Sequence, residues 1–130
     1  MDICVGGRAD IKALKHGNKH LKKLIWTGRN SYLLTAKRDG EIAAFAFVFR
    51  RQAPMREDFI NVIEVIDPAD RRQGIGSALV AKVIETAQAN GSRQVRAYFD
   101  RSNTASCQLW LKNGFTLSPE GPGFFATYTL

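Results

Sequence analysis

The stretch from Phe59 to Phe99 constrains this chain's fold more than any other. Phe59 to Ile66 is β-branched and apolar enough for a strand central in a sheet. Ser77 to Asn90 then carries Leu79, Val80, Val83, Ile84 and Ala87 on one broad helical face, and Asn90-Gly91 supplies a left-handed stop. Gln94 to Phe99 is again a strand. Strand, long helix and strand in that order predict a right-handed crossover. What joins the first strand to the helix is unusual: Asp67-Pro68-Ala69-Asp70-Arg71-Arg72-Gln73-Gly74-Ile75-Gly76.

The flanking segments fill out a mixed sheet. A short strand ends at Gly6-Gly7. Apolar residues Ile11, Leu14, Leu21, Leu24 and Ile25 recur at helical spacing around Gly17-Asn18, which predicts two short helices, 10–16 and 19–27, closed by Gly28. Ser31 to Lys37 and Glu41 to Arg50 read as strands joined by Asp39-Gly40, a hairpin signal. Ser102-Asn103 caps a helix over Thr104 to Asn113, whose Leu109 and Trp110 turn inward. Phe115 to Leu117 and Phe124 to Thr129 form a last strand pair. The expected class is α/β (α+β): a mixed, mostly antiparallel twisted sheet of about six to seven strands flanked by about four helices.

Composition narrows the setting. One domain spanning 1–130 is the expectation for 130 residues with 45% hydrophobic and 24% charged side chains. The longest apolar run, Ile42 to Phe49, is too short to cross a bilayer. Met1 to Gly7 lacks a basic start followed by an apolar stretch, so no secretory signal is expected. Cys4 and Cys107 lie far apart, without metal-ligand spacing to either histidine, which suits a cytoplasmic protein with reduced thiols and no metal. A formal net charge of +7 favours polyanionic partners: nucleic acid, an acidic protein or a phosphate-rich cofactor.

The glycine stretch is either a plain strand-to-helix turn or a phosphate cradle. No Gly-x-x-x-x-Gly-Lys-Ser/Thr string is present, and a dinucleotide fingerprint would need glycine where Leu79 stands. What remains is a glycine pair with arginines, opening a helix after a buried strand. Glycine lets backbone approach a ligand, and the free N–H groups of a helix start make a nest of donors for an anion.

Arg71-x-x-Gly74-x-Gly76 after Ile66-Asp67-Pro68 resembles the acyl-CoA signature of the GNAT superfamily of N-acetyltransferases. Asn103-x-x-Ser106-x-x-Leu109-Trp110-x-Lys112-x-Gly114-Phe115 is similar to that family's second motif, with serine in place of the common alanine and tryptophan in place of tyrosine. Ala43 to Ala46 fits the preceding strand, and the resemblance runs from about residue 31 to the end.

The resemblance implies acetyl-CoA as cosubstrate and a primary amine of a small molecule, peptide or protein as acceptor, attacking the thioester directly. It places the pyrophosphate on Arg72, Gln73, Gly74, Ile75, Gly76 and Ser77, with Arg71 beside them. The pantetheine arm would lie along Glu64, Val65 and Ile66, with an N–H near Val65 or Ile66 as oxyanion donor. Asn103, Trp110 and Lys112 complete the cofactor set. For proton transfer the candidates are Glu64, the one carboxylate within the apolar part of its strand, and a water chain. Tyr98 stands where some members carry a glutamate. It is also the candidate for the hydroxyl that Trp110 lacks, since indole cannot protonate a thiolate. A thiol of pKa about 8.5 makes thiolate a tolerable leaving group, so such an acid is helpful rather than essential.

Lys12, Lys15, Lys19, Lys22 and Lys23 form a basic stripe, which reads as a solvated face or as a dock for an acidic or macromolecular acceptor. His16 and His20, at i,i+4 spacing without a third ligand nearby, read as surface residues. A homodimer is possible on this sequence. The alternative function is a non-catalytic CoA-binding or basic nucleic-acid-binding module.

Overall fold

The computed structural model describes all residues except 23, 25–27 and 72–73. One seven-stranded sheet organises the chain: β1 (Ile3–Gly6), β2 (Ser31–Arg38), β3 (Glu41–Arg51), β4 (Glu57–Val65), β5 (Gln94–Asp100), β6 (Thr116–Glu120) and β7 (Gly123–Thr129). Their order across the sheet is β1-β2-β3-β4-β5-β7-β6, and β4–β5 is the parallel pair. Helix α2 (Ile75–Ala89) makes the expected crossover between those two strands. Helices α1 (Arg8–Gly17) and α3 (Thr104–Lys112) complete the set of three α-helices among the described residues.

The second predicted short helix is the main departure. Lys19–Leu21 is a single 3-10 turn, and the rest of the expected 19–27 helix lies largely outside the described residues. Asn18 has extended backbone, and its side-chain amide donates to Leu14 O, ending α1 before a longer helix can form. Leu21 and Leu24 therefore act as buried anchors of a loop rather than as the face of a helix. The last hairpin also starts later than predicted, at Thr116, with Pro119 tolerated because β6 is an edge strand.

Two cores flank the sheet. Leu34, Ala44, Ala46, Val48 and Ile60 meet Leu79, Val80 and Val83 of α2 and Trp110 of α3. On the opposite face, Leu33, Phe45 and Phe47 meet Ile11 and Leu14 of α1, with Leu21 and Leu24. Burial on both faces explains the unbroken apolar run of β3, which leaves no polar alternation to read.

Helix α1 is fixed by Asp10, whose carboxylate accepts from the Gly7 N–H at 3.0 Å and pairs with Lys37 at 2.9 Å. The Gly7 bond, then Lys37, hold this carboxyl below the usual carboxylate range. A lowered folded value means the contribution is complete above the unfolded carboxyl range and is lost as pH falls through the folded one. The stability advantage of the native chain over Asp10→Asn is thus expected to be full at neutral pH and to vanish below about pH 4, read from denaturant midpoints against pH.

Gly123 lies where β7 passes under Tyr98. A Cβ there would stand 2.3 Å from the Phe99 carbonyl oxygen and 2.7 Å from the Tyr98 ring. Because the first of these is backbone, Gly123→Ala is expected to cost about 1–3 kcal/mol of overpacking, measurable by urea unfolding.

Candidate functional site

The site begins with the way β4 is held. At its first end, Glu57 and Asp58 are completely buried yet satisfied. Tyr32 and Ser92 hydroxyls each donate to Asp58 at 2.6 Å. Gln94 and Arg51 donate to Glu57 at 2.9 and 3.2 Å, with Arg96 at 3.6 Å. Burial, then the bond to Asp58, push the Tyr32 hydroxyl far up, so it stays a donor. This network fastens β4 to its neighbours at one end, where Glu57–Ile60 pair with Gln94–Ala97.

Beyond Ile60 that pairing stops. Phe47 faces Val62 but Val48 faces Ile60, so Asn61 is an extra residue, and a bulge of this kind bends and twists the strand. β4 runs on to Val65 beside β3, while β5 from Tyr98 onward pairs with β7. The two parallel strands part, leaving one edge of β4 unpaired.

Strand alternation decides which amides face the gap. The Ile66 N–H donates to Ala43 O at 2.8 Å, which makes that pair, and by alternation Phe45–Glu64, the hydrogen-bonded ones of this antiparallel ladder. The backbone groups of Ile63 and Val65 therefore point into the gap. Of the two expected oxyanion donors, Ile66 is committed to the sheet and Val65 is the open one. Arg71 Nε reaches the Val65 carbonyl at 3.5 Å from the turn that follows.

The gap widens into a groove of about 810 Å³. Its walls are Ile63 to Val65, the turn and helix start at Asp70, Arg71 and Gly74 to Ser77, and the α3 residues Asn103 to Ser106, Gln108, Leu109 and Lys112. Gly74 caps α2 with φ of 78°, a left-handed conformation in which a side chain would be strained, and glycine has no side chain with which to cap the helix start. The first intrahelical bond is Ala78 N to Gly74 O. The N–H groups of Ile75, Gly76 and Ser77 are thus beyond the helical ladder, at the positive end of its dipole. Gly76 lets Leu109 close in, since a Cβ would stand 3.4 Å from Leu109 Cδ1. Arg72 and Gln73 lie outside the described residues.

Asn103 caps α3 through its side-chain oxygen on the Ser106 N–H at 3.0 Å and lines the groove. The turn before it is set by Asp100, which accepts from Ser102 N and Oγ and whose carboxyl is lowered by those two bonds. Asn113 donates to both Leu109 O and Ser77 Oγ, tying the end of α3 to the start of α2 across the groove floor. Asp70 is buried at the groove's edge and paired with Arg38 of β2, so its charge is balanced before any anion arrives.

Three expected site residues do not line the groove: Ile66, whose N–H is committed to the sheet, Trp110 and Tyr98. Trp110 is 2% exposed and packs at a tilt against Phe115, with ring centroids 5.0 Å apart, inside the core. Residues 105, 108, 109 and 112 of α3 face the groove, and position 110 points the other way. Tyr98 packs close to Gly123, edge-on to Phe125, and its hydroxyl donates to Glu120 O at 2.8 Å. That contact holds it to the β6–β7 hairpin, and it does not line the groove.

One residue joins the site that periodicity could not place there. His20 Nε2 stands 3.0 Å from each carboxylate oxygen of Glu64. Ile63 and Val65 pack toward the α2 side and Val62 and Ile66 toward the α1 side, so Glu64 emerges on the α1 face, where the loop after α1 meets it. Forty-four positions separate the two, so no local pattern connects them. Among the described residues no group of three or more potential ligands could hold a metal ion. No helix among them is long and apolar enough to cross a membrane.

Residues 10–115 match the profile of the acetyltransferase (GNAT) family. Mycothiol acetyltransferase of Streptosporangium roseum is 41% identical over 51 residues, 39% of this chain, and the match spans 15% of that protein's length. The GNAT domain of S. lividans PAT superposes with a TM-score of 0.82 at 18% identity, covering 98% of this chain and 89% of that one. PaiA N-acetyltransferase from Thermoplasma acidophilum, solved in complex with coenzyme A, gives 0.76 at 15% identity with full coverage of both chains. These two structural likenesses establish the shared fold.

Proposed function

The chain belongs to the acetyltransferase (GNAT) family, and we propose that it moves an acetyl group from acetyl-CoA to a primary amine of a small molecule, peptide or protein. The observation that carries this reading is the unpaired edge of β4 meeting the open start of α2 in one groove. An amide-rich arm suits the outward groups of Ile63 and Val65. A diphosphate suits three helix-start N–H groups, with Arg71 and Lys112 at the rim. The cofactor enters from the α2 side and the amine from the α1 side, and they meet where Glu64 and Val65 are consecutive.

The neutral amine's lone pair attacks the thioester carbon. The Val65 N–H faces the oxygen on which charge develops. The N–C bond forms, the C–S bond breaks and coenzyme A leaves as thiolate. The amine's proton passes to the basic centre built on Glu64. With Tyr98 held by the hairpin and Trp110 in the core, no step is assigned to either.

Acetyl-CoA at 100 times its Kd is expected to stabilise the protein by about 2.7 kcal/mol, seen as a rise in Tm. Thiol release on mixing with a panel of polyamines, amino-terminal peptides and aminoglycosides then tests transfer. No rise in Tm sinks the reading, and a rise without thiol release on any acceptor leaves a silent CoA-binding module.

A further inference from the structure

We infer that His20, held by Glu64, is the group that takes the proton from the acceptor amine, and that Glu64 is the positioning residue behind it. The inference rests on the acetyl-transfer reading above and assigns a role within that site.

Both carboxylate oxygens of Glu64 lie at 3.0 Å from the same ring nitrogen, so the Nε2–H of His20 is donated between them. Both oxygens of that carboxylate are thereby engaged by the ring. The ring's other nitrogen, Nδ1, then carries the lone pair. His20 is 60% exposed against 27% for Glu64, so the imidazole stands outermost, on the side from which an amine arrives. A carboxylate behind an imidazole fixes the tautomer and stabilises the imidazolium once it forms. The step balances: the amine N–H bond breaks, its proton is bound by Nδ1 and the thiolate leaves with the sulfur's electron pair. Imidazolium afterwards returns the proton to solvent or to the thiolate.

Among the described residues, no other charged side chain pairs with His20 or Glu64. Lys15 Nζ is bonded to Leu24 O, and Asp70 is paired with Arg38. Lys19 and Lys22 flank the ring on its own segment, His16 precedes it on α1, and Asp67 and Arg71 follow β4. Among the described residues, Glu64 is the charged partner in contact with the ring.

The test compares His20→Gln and Glu64→Gln with the native chain, using acetyl-CoA and whichever amine of the panel releases thiol. His20→Gln is expected to lower kcat about 100-fold or more, to remove the ascending limb of the pH–rate profile and to leave the acetyl-CoA-induced rise in Tm intact. Added imidazole should restore part of the rate in His20→Ala. Glu64→Gln is expected to keep the limb and to lower kcat by a smaller factor than His20→Gln, because the ring is still present but no longer held in place. Ring-nitrogen NMR of the free protein, which needs no acceptor, is expected to show His20 fixed with its proton on Nε2 and released from that preference in Glu64→Gln. The inference is overturned if His20→Gln retains kcat and its limb while Glu64→Gln loses both, or if the ring shows no fixed tautomer. Those failures leave the Tm response to acetyl-CoA standing, whereas its absence in the native chain would remove the transferase reading itself.

Discussion

Gly76→Trp abolishes acetyl-CoA binding while the fold survives; that is the expected result, and it is the largest functional effect a single side chain in the groove should have. Gly76 lines the groove in the first turn of α2, where its N–H lies beyond the helical ladder. Its φ is not in the left-handed region, so a side chain there carries no backbone strain. A first carbon just fits against Leu109, at 3.4 Å, but an indole must extend into the space between α2 and α3. A loss of 100-fold or more in affinity is expected by calorimetry, with little change in urea midpoint. Gly76→Ala, which keeps the amide and adds a methyl group, should bind within roughly tenfold. Gly74→Trp should block binding as well, but there φ of 78° adds strain of about 1–2 kcal/mol. If Gly76→Trp stays folded and binds acetyl-CoA with native affinity, the groove does not hold the diphosphate.

Trp110 should give the largest loss of stability. Its indole fills the space between α3, Phe115 and the sheet, and truncation leaves a cavity lined by side chains anchored elsewhere. Trp110→Ala is expected to cost about 3–5 kcal/mol, read from denaturant unfolding. Trp110→Phe should cost much less than a simple loss of volume suggests. Among the described residues the buried indole Nε1 has no hydrogen-bond partner, so phenylalanine removes a desolvated donor along with the missing atoms. Neither variant, where folded, should alter affinity for acetyl-CoA by more than a few-fold. Loss of binding in a stable Trp110→Phe chain would return this residue to the site.

The contrast between these two positions shows where sequence reasoning reached and where it stopped. The conformations at Gly74, Gly76 and Asn103 were legible because they are set locally. A left-handed turn, an open helix start and a side-chain cap are set within a few residues, and the chemistry follows from the residue types themselves. Trp110 shares a motif with those groove-lining residues, yet a motif fixes spacing and not which side of a helix meets the cofactor. Tyr98 was drawn in by its position in the strand and turned out to be secured to the opposite hairpin by a hydrogen bond spanning 22 positions. Ile66 and Val65 are equivalent in sequence, and only the register against Ala43 makes one amide open and the other engaged.

By itself the sequence determined the two hairpin pairs, the crossover around the long helix and the glycine turn that opens it, because hydrophobic period, helix stops and glycine conformations act over short distances. The tertiary structure alone decided that β4 leaves β5 after Ile60, that Val65 offers the free N–H and that His20 meets Glu64. Each of these depends on the pairing of segments far apart in the chain, and in a sheet a shift of one residue reverses which face and which edge every group presents.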